Sequence, residues 1–135
     1  MNLTARAYNK HATILHVQGN VDGETYGHLL VEAQQLVARG TRCLLLELSD
    51  CEYMSSAGLM ALTSIFKQMR DLTRSEAALE WNAQNTMDRA GELGPARQLV
   101  LVAPCDDVQR VLNLAGMQSY LKIYPDLSQA LIECV

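Results

Sequence analysis

The chain has 135 residues, of which 49% are hydrophobic and 19% charged, a balance that fits one folded domain and excludes a disordered or low-complexity protein. Its formal net charge of -4, with no basic cluster along the chain, argues against nucleic-acid binding. No apolar run approaches the ~20 residues of a membrane helix, and the opening MNLTARAYNKH lacks the apolar core of a signal peptide, so a cytoplasmic protein without a membrane partner is expected.

In chain order, ATILHVQG (12–19) alternates as a strand does, and a shorter strand around Ala5–Tyr8 is placed beside it. GNVDGET follows as a turn dense in Gly, Asn and Asp. Tyr26, Leu29, Leu30, Ala33, Leu36 and Val37 then recur at helical spacing, and Gly40 is placed to end that helix. CLLLEL (43–48) is a continuous apolar run between turn residues, the pattern of a strand buried on both faces. SDCEYM is the loop after it. A second helix begins at the Ser55-Ser56 pair, with Leu59, Leu62, Ile65, Phe66 and Met69 on one face.

QLVLVAP (98–104) reads as another buried strand, stopped by Pro104. Asp106 or Asp107 is expected to cap the next helix, with Val108, Val111, Leu112 and Ala115 inward and Gly116 at its end. LKIYPD supplies a short last strand, and Asp126 caps a final helix facing inward through Leu127, Ala130 and Leu131. Strands alternating with helices predict an α/β domain, one mixed and mostly parallel sheet of four to five strands packed with about four helices, spanning residues 1–135.

Residues 71–98 break the rhythm, being far longer than an ordinary helix-to-strand loop. Thr73 and Glu76 have capping-box spacing, and Leu79, Ala83, Met87 and Ala90 repeat helically up to Gly91, Gly94 and Pro95. The segment is expected to be a helical insertion before the penultimate strand, either separate or a continuation of the second helix. A solvated edge helix is the plainer role for it, and a dimer-forming or partner-specific element anchored by Leu79 and Trp81 the sharper one. Cys43, Cys51, Cys105 and Cys134 are scattered with no CxxC and no metal spacing, so reduced, mostly buried thiols are expected.

Three pieces in order, GNVD after the first long strand, LLLELSDCEYMSSAGLMAL, and LNLAGMQSYLKIYPDLSQAL, together resemble the STAS domain family, specifically bacterial anti-sigma factor antagonists. By that resemblance the phosphoacceptor serine falls on Ser56, the following glycine on Gly58 and the turn aspartate on Asp22. The resemblance further implies a partner that is an anti-sigma factor and serine kinase, bound through the 20–25 turn, the 50–56 loop and the start of the next helix. It places Asp22, Gly23, Thr25, Glu52, Met54, Ser55, Ser56, Gly58 and Leu59 at the contact. The chain departs from the family at Ser55, where Asp is frequent, at Ala57, where Ser is frequent, and at Tyr120 and Ile123 in the closing segment. The reading implies no cofactor or metal of the chain's own, since ATP would be the kinase's.

The residues themselves allow a plainer account of the serines. Serine caps helices well, stabilising them by about 1 kcal/mol. One serine suffices for that, so Ser55 is assigned to the cap and Ser56 to the modifiable hydroxyl, with Gly58 letting another backbone approach. Asp50, Glu52 and Asp22 at the same edge would add to the charge of a phosphate there. A STAS scaffold in another signalling or transport complex is the alternative. A small serine hydrolase is the rival of another class, but MSSAG is not a nucleophile elbow; of His11, His16 and His28, His16 sits in a strand where a structural role is expected, and His28, on the first helix, has no evident acid partner.

Overall fold

The computed structural model describes residues 1–82 and 97–134. Five strands form one sheet in the order of the chain: β1 (Asn2–Ala7), β2 (Ala12–Gln18), β3 (Cys43–Asp50), β4 (Gln98–Val102) and β5 (Lys122–Tyr124). Among the described residues only the β1–β2 pair is antiparallel, closed by a turn in which Asn9 Oδ1 accepts the amides of His11 and Ala12, both at 2.8 Å. The remaining pairs are parallel and are joined by helices α1 (Tyr26–Ala38), α2 (Ser56–Asn82) and α3 (Asp106–Leu114), and α4 (Leu127–Glu133) follows β5.

Strand order fixes the layering. Each crossover leads to the next strand in the same direction, and crossovers of one hand then lie on one face of the sheet. The core agrees: Leu15, Val17, Leu44, Leu46, Leu48 and Leu101 pack with Leu29, Leu62, Ile65 and Leu112 from α1, α2 and α3. On the other face Ala12, Ile14, Leu45, Val100 and Val102 meet Ala130 of the short α4. β3 is thus buried on both sides, as its unbroken apolar run requires.

Helix ends follow local chemistry. Gly40, at φ +113°, ends α1 in a Schellman turn, with Thr41 N–H on Leu36 O and Gly40 N–H on Val37 O, both at 3.1 Å. Gly116 (φ +74°) follows α3 in the same left-handed region, and Asp126 caps α4 by accepting the Gln129 amide at 2.8 Å.

Several expectations are corrected. Cys105, extended at φ -68° and ψ 168°, occupies the N-cap of α3, so Asp106 and Asp107 lie in its first turn, where acids complement the helix dipole. Ala115 is exposed. No new helix starts at Thr73: α2 runs unbroken through it, Thr73 Oγ1 donates to Met69 O at 3.0 Å, and Glu76 bonds two arginines instead of a helix amide. The continuation of the second helix is therefore what the described part of the 71–98 segment shows. The helical repeat beyond Asn82 and the side chains of Leu79 and Trp81 lie outside the described residues.

Cys43 and Cys134 form a disulfide across a sequence separation of 91, where reduced thiols were expected. No local spacing signals it. The fold brings the first residue of β3 and the end of α4 together on one sheet face, Cα atoms 6.3 Å apart. Cys51 is buried and free, and Cys105 is half-buried and free.

Candidate functional site

Two loops leave the carboxyl ends of β2 and β3 and are stitched to each other by backbone bonds. Gly19, at φ +106°, turns the chain out of β2, and its amide donates to Asp50 O at 3.0 Å. Val21 N–H then donates to Tyr53 O at 3.0 Å, and Ser55 N–H to Val21 O at 2.9 Å, so Val21 and Met54 form a parallel bridge beyond the strands proper. Both side chains are buried, Val21 at 0% and Met54 at 1% exposure. The signal for this bridge in the sequence is Val21, the one apolar residue in the polar turn GNVDGET.

Asp22 organises the first loop. Its Oδ1 accepts the amides of Glu24 at 2.9 Å and Thr25 at 3.2 Å, while Thr25 Oγ1 accepts the Asp22 amide at 2.9 Å and bonds to Asn20 O at 2.8 Å. This closes an Asx turn that launches α1. The Glu24 amide is the main cause that holds the Asp22 carboxyl below its ordinary range; partial burial opposes it, and the Thr25 donors reinforce it.

The second loop delivers the serines to the start of α2. Ser55 stands just before the helix, with Leu59 N–H on its carbonyl at 3.0 Å and Gly58 N–H reaching its Oγ at 3.4 Å, the positions of an N-cap. Ser56 is the first helical residue and is exposed, and its hydroxyl has no hydrogen bond among the described residues. Gly58 is buried because α2 presses on the bridge: a Cβ there would stand 2.9 Å from Val21 O. Tyr53 at 51%, Met60 at 68% and Tyr26 at 39% exposure place large apolar side chains on the loops and helix starts around Ser56.

The nine residues expected at the contact come together on these two loops and the first turn of α2, though not all at the surface. Gly23, Glu52 and Ser56 are exposed, Asp22, Thr25, Ser55 and Leu59 are half-buried, and Met54 and Gly58 support the loop from within. Asp50 differs from expectation. Its Oδ2 lies 2.7 Å from His16 Nε2, which also lies 3.2 Å from Glu47 Oε2, on the sheet face of Ile14 and away from α2. His16 thus has the acid partners the sequence did not reveal, but on the wrong side of the sheet to serve Ser56. Two sulfurs support the second loop: the Cys51 thiol donates to Tyr53 O and the Cys105 thiol to Cys51 O, each at 3.4 Å. Burial pushes the Cys51 thiol pKa up, which keeps it a neutral donor.

Residues 3–75 match the family model of the STAS domain, more than half of the chain. The chain belongs to the STAS domain family. Among solved structures, an anti-sigma factor antagonist from Mycobacterium paratuberculosis superposes with a TM-score of 0.71 at 20% identity, over 98% of this chain and 92% of that one. The anti-sigma factor antagonist SpoIIAA in its unphosphorylated form gives 0.62 at 13% identity, over 98% and 96%. The phosphorylated form of the Bacillus SpoIIAA gives 0.60 at 9% identity, over 99% and 100%. At these identities the likeness is one of fold. A comparison with curated proteins finds no match. For this STAS domain the two stitched loops and the α2 start are therefore the site a function must be argued from. Among the described residues no cluster of His, Cys, Asp and Glu suits a metal ion, and no helix is long and apolar enough to cross a membrane.

Proposed function

We propose that this STAS domain is a phosphorylation-controlled binding module, an anti-sigma factor antagonist that binds an anti-sigma factor with serine kinase activity and is released when Ser56 is phosphorylated. The observation that carries the reading is the exposed Ser56 hydroxyl at the first position of α2, on a surface built by two bonded loops. The names of the structural neighbours, one of them present in unphosphorylated and phosphorylated forms, support it.

The mechanism is electrostatic. In the unmodified state the partner covers Tyr53, Met60 and the Asp22 turn, contacts in which large apolar side chains supply most of the binding energy. A phosphate on Ser56 adds about -1.5 to -2 charges at neutral pH. The free amides of the first turn of α2 hold it in place, while exposed Glu52 makes the same surface more negative. An apolar or acidic partner surface then faces an uncompensated dianion and leaves, and no core rearrangement is required.

A serine hydrolase is disfavoured because His16, the histidine with carboxylate partners, faces away from α2. Incubation with a co-encoded serine kinase and ATP, read by intact mass, is expected to add one phosphate that Ser56→Ala abolishes. Ser56→Asp is expected to weaken partner binding by roughly tenfold or more, about 1.4 kcal/mol. A phosphate on another residue, or an unchanged affinity of Ser56→Asp, overturns the proposal. Turnover of activated esters lost in Ser56→Ala would favour the hydrolase.

A further inference from the structure

A second site lies along α2, well away from the serines. A cavity of about 350 Å³ opens between the middle of α2 and the edge formed by β4, β5 and the turn before β5. Its first lining residue on α2, Phe66, is ten residues beyond Ser56, about 15 Å along the helix axis. The size falls in the range of small-molecule pockets.

The lining has two chemically distinct parts. Phe66, Met69, Leu99 and Tyr120 make an apolar wall, in which the Phe66 and Tyr120 rings stand 5.0 Å apart at 51°. Arg70, Arg74, Arg97 and Lys122, with the neutral polar Thr73 and Gln98, make the rest, and no carboxylate lines the cavity among the described residues. A protein of net charge -4 with 11 basic residues has thus gathered four of them around one pocket. Arg70 and Arg74 are one helical turn apart, but Arg97 and Lys122 join them only through the fold, which is why no basic cluster was visible in the sequence.

Among the described residues two acids, Glu76 and Asp71, pair with this group of four cations. Glu76 accepts both ends of the Arg42 guanidinium, at 3.0 and 2.6 Å, and one nitrogen of Arg97 besides. Arg97 keeps only 12% of its side chain exposed, and its Nε has no hydrogen-bond acceptor among the described residues. Burial first, and the neighbouring Arg42 second, lower the Arg97 pKa. Arg70 is held over the Phe66 ring at 5.9 Å; its Nε is buried without a hydrogen bond, and its ion pair to the exposed Asp71 is long at 3.5 Å. The Arg70 side chain as a whole keeps 41% of its surface exposed, so its terminal guanidinium nitrogens are open to an acceptor in the cavity.

We infer that this pocket binds a small organic anion, with a phosphate or carboxylate head among Arg70, Arg74, Arg97 and Lys122 and a planar apolar body against Phe66, Tyr120 and Leu99. An inorganic ion leaves the aromatic wall uncovered, and a neutral aromatic leaves the guanidinium donors unbonded. The site is independent of the switch at Ser56.

Calorimetric titration of the full chain with phenyl phosphate, benzoate, inorganic phosphate and benzyl alcohol tests the inference. Phenyl phosphate or benzoate is expected to saturate below about 1 mM, and whichever binds more tightly identifies the head group. Inorganic phosphate and benzyl alcohol are each expected to bind at least about tenfold more weakly. Arg97→Gln also breaks a bond to Glu76 and so confounds affinity with stability; the exposed Lys122→Gln and Arg74→Gln, checked for an unchanged melting curve, therefore carry the test. Each is expected to lower affinity severalfold, and Tyr120→Ala to erode the advantage of phenyl phosphate over inorganic phosphate. The inference is overturned if neither organic anion binds, if inorganic phosphate binds as well as phenyl phosphate, or if folded Lys122→Gln and Arg74→Gln bind unchanged.

Discussion

Replacing Gly58 with alanine tests the packing that sets Ser56 on its surface. A Cβ at Gly58 would lie 2.6 Å from Met54 Cγ, 2.9 Å from Val21 O and 3.0 Å from Val21 Cγ1. The Met54 side chain has little room to swing, being 1% exposed, and Val21 O is fixed by the Ser55 amide. Overpacking of this kind costs about 1–3 kcal/mol, while alanine for glycine in a helix returns at most about 1 kcal/mol. The net expectation is a loss of about 1–2 kcal/mol, or roughly 3–6 °C in Tm for a domain of this size. Gly27→Ala is the control, since Gly27 lies in α1 and a Cβ there meets nothing within 4 Å. That substitution is expected to stabilise by about 0.5–1 kcal/mol. Urea unfolding of the wild type and both variants, with unchanged slopes, reads the difference directly. Equal stabilisation by the two alanines would refute the close approach of α2 to the Val21–Met54 bridge.

Three other outcomes follow from the same structure. Glu76→Gln removes the carboxylate shared by Arg42 and Arg97 and is expected to destabilise by about 2 kcal/mol, discounted from the ~3–5 kcal/mol of a fully buried pair because Glu76 keeps 19% of its side chain exposed; an unchanged urea midpoint would contradict it. Cys134→Ser opens the link to Cys43 and is expected to lower the stability of the oxidised protein by up to about 4 kcal/mol, with thiol titration in denaturant finding Cys51 and Cys105 alone reactive in the wild type. The Asp22 carboxyl has a folded-state pKa lowered from its ordinary 3.8, so its contribution is complete above that value and is lost as pH falls through the lowered pKa. Asp22→Asn keeps an acceptor for the turn but not the titration, so its urea midpoint is expected to fall less steeply than that of the wild type below about pH 4; parallel acid limbs would show that Asp22 is not held by its amides.

Much of the fold was legible because burial and periodicity agree in this chain. CLLLEL could only be a central strand, and the spacings from Tyr26 and from Leu59 could only be helices with one apolar face. The Ser55–Gly58 segment was legible too, since cap chemistry and a glycine within the first turn are local signals. Errors arose where one spacing serves two purposes. Thr73 and Glu76 are three apart, which suits a capping box and equally suits two residues on one face of a helix that does not stop. Asp106 and Asp107 are good caps and good first-turn residues, and the extended backbone at Cys105 decides between them. The remaining misses are long-range. Asp50 with His16, Cys43 with Cys134, and the cationic pocket all join residues that no window of sequence places together.

The sequential strand order carries a consequence for how the chain is made. Each strand hydrogen-bonds to its predecessor, so a chain growing from its amino end can complete the β1–β2 hairpin, then dock β3, then β4, then β5, without waiting for a later segment to be inserted between earlier ones. Loop-closure entropy at each step is that of one crossover rather than of the whole chain. The loop that holds Ser56 takes its backbone–backbone bonds from the end of β3, the turn after β2 and the first turn of α2, and the Cys105 thiol adds a later bond to Cys51 O. The serine surface can therefore be assembled from the first sixty or so residues, with β4, β5 and α4 added as a brace behind it.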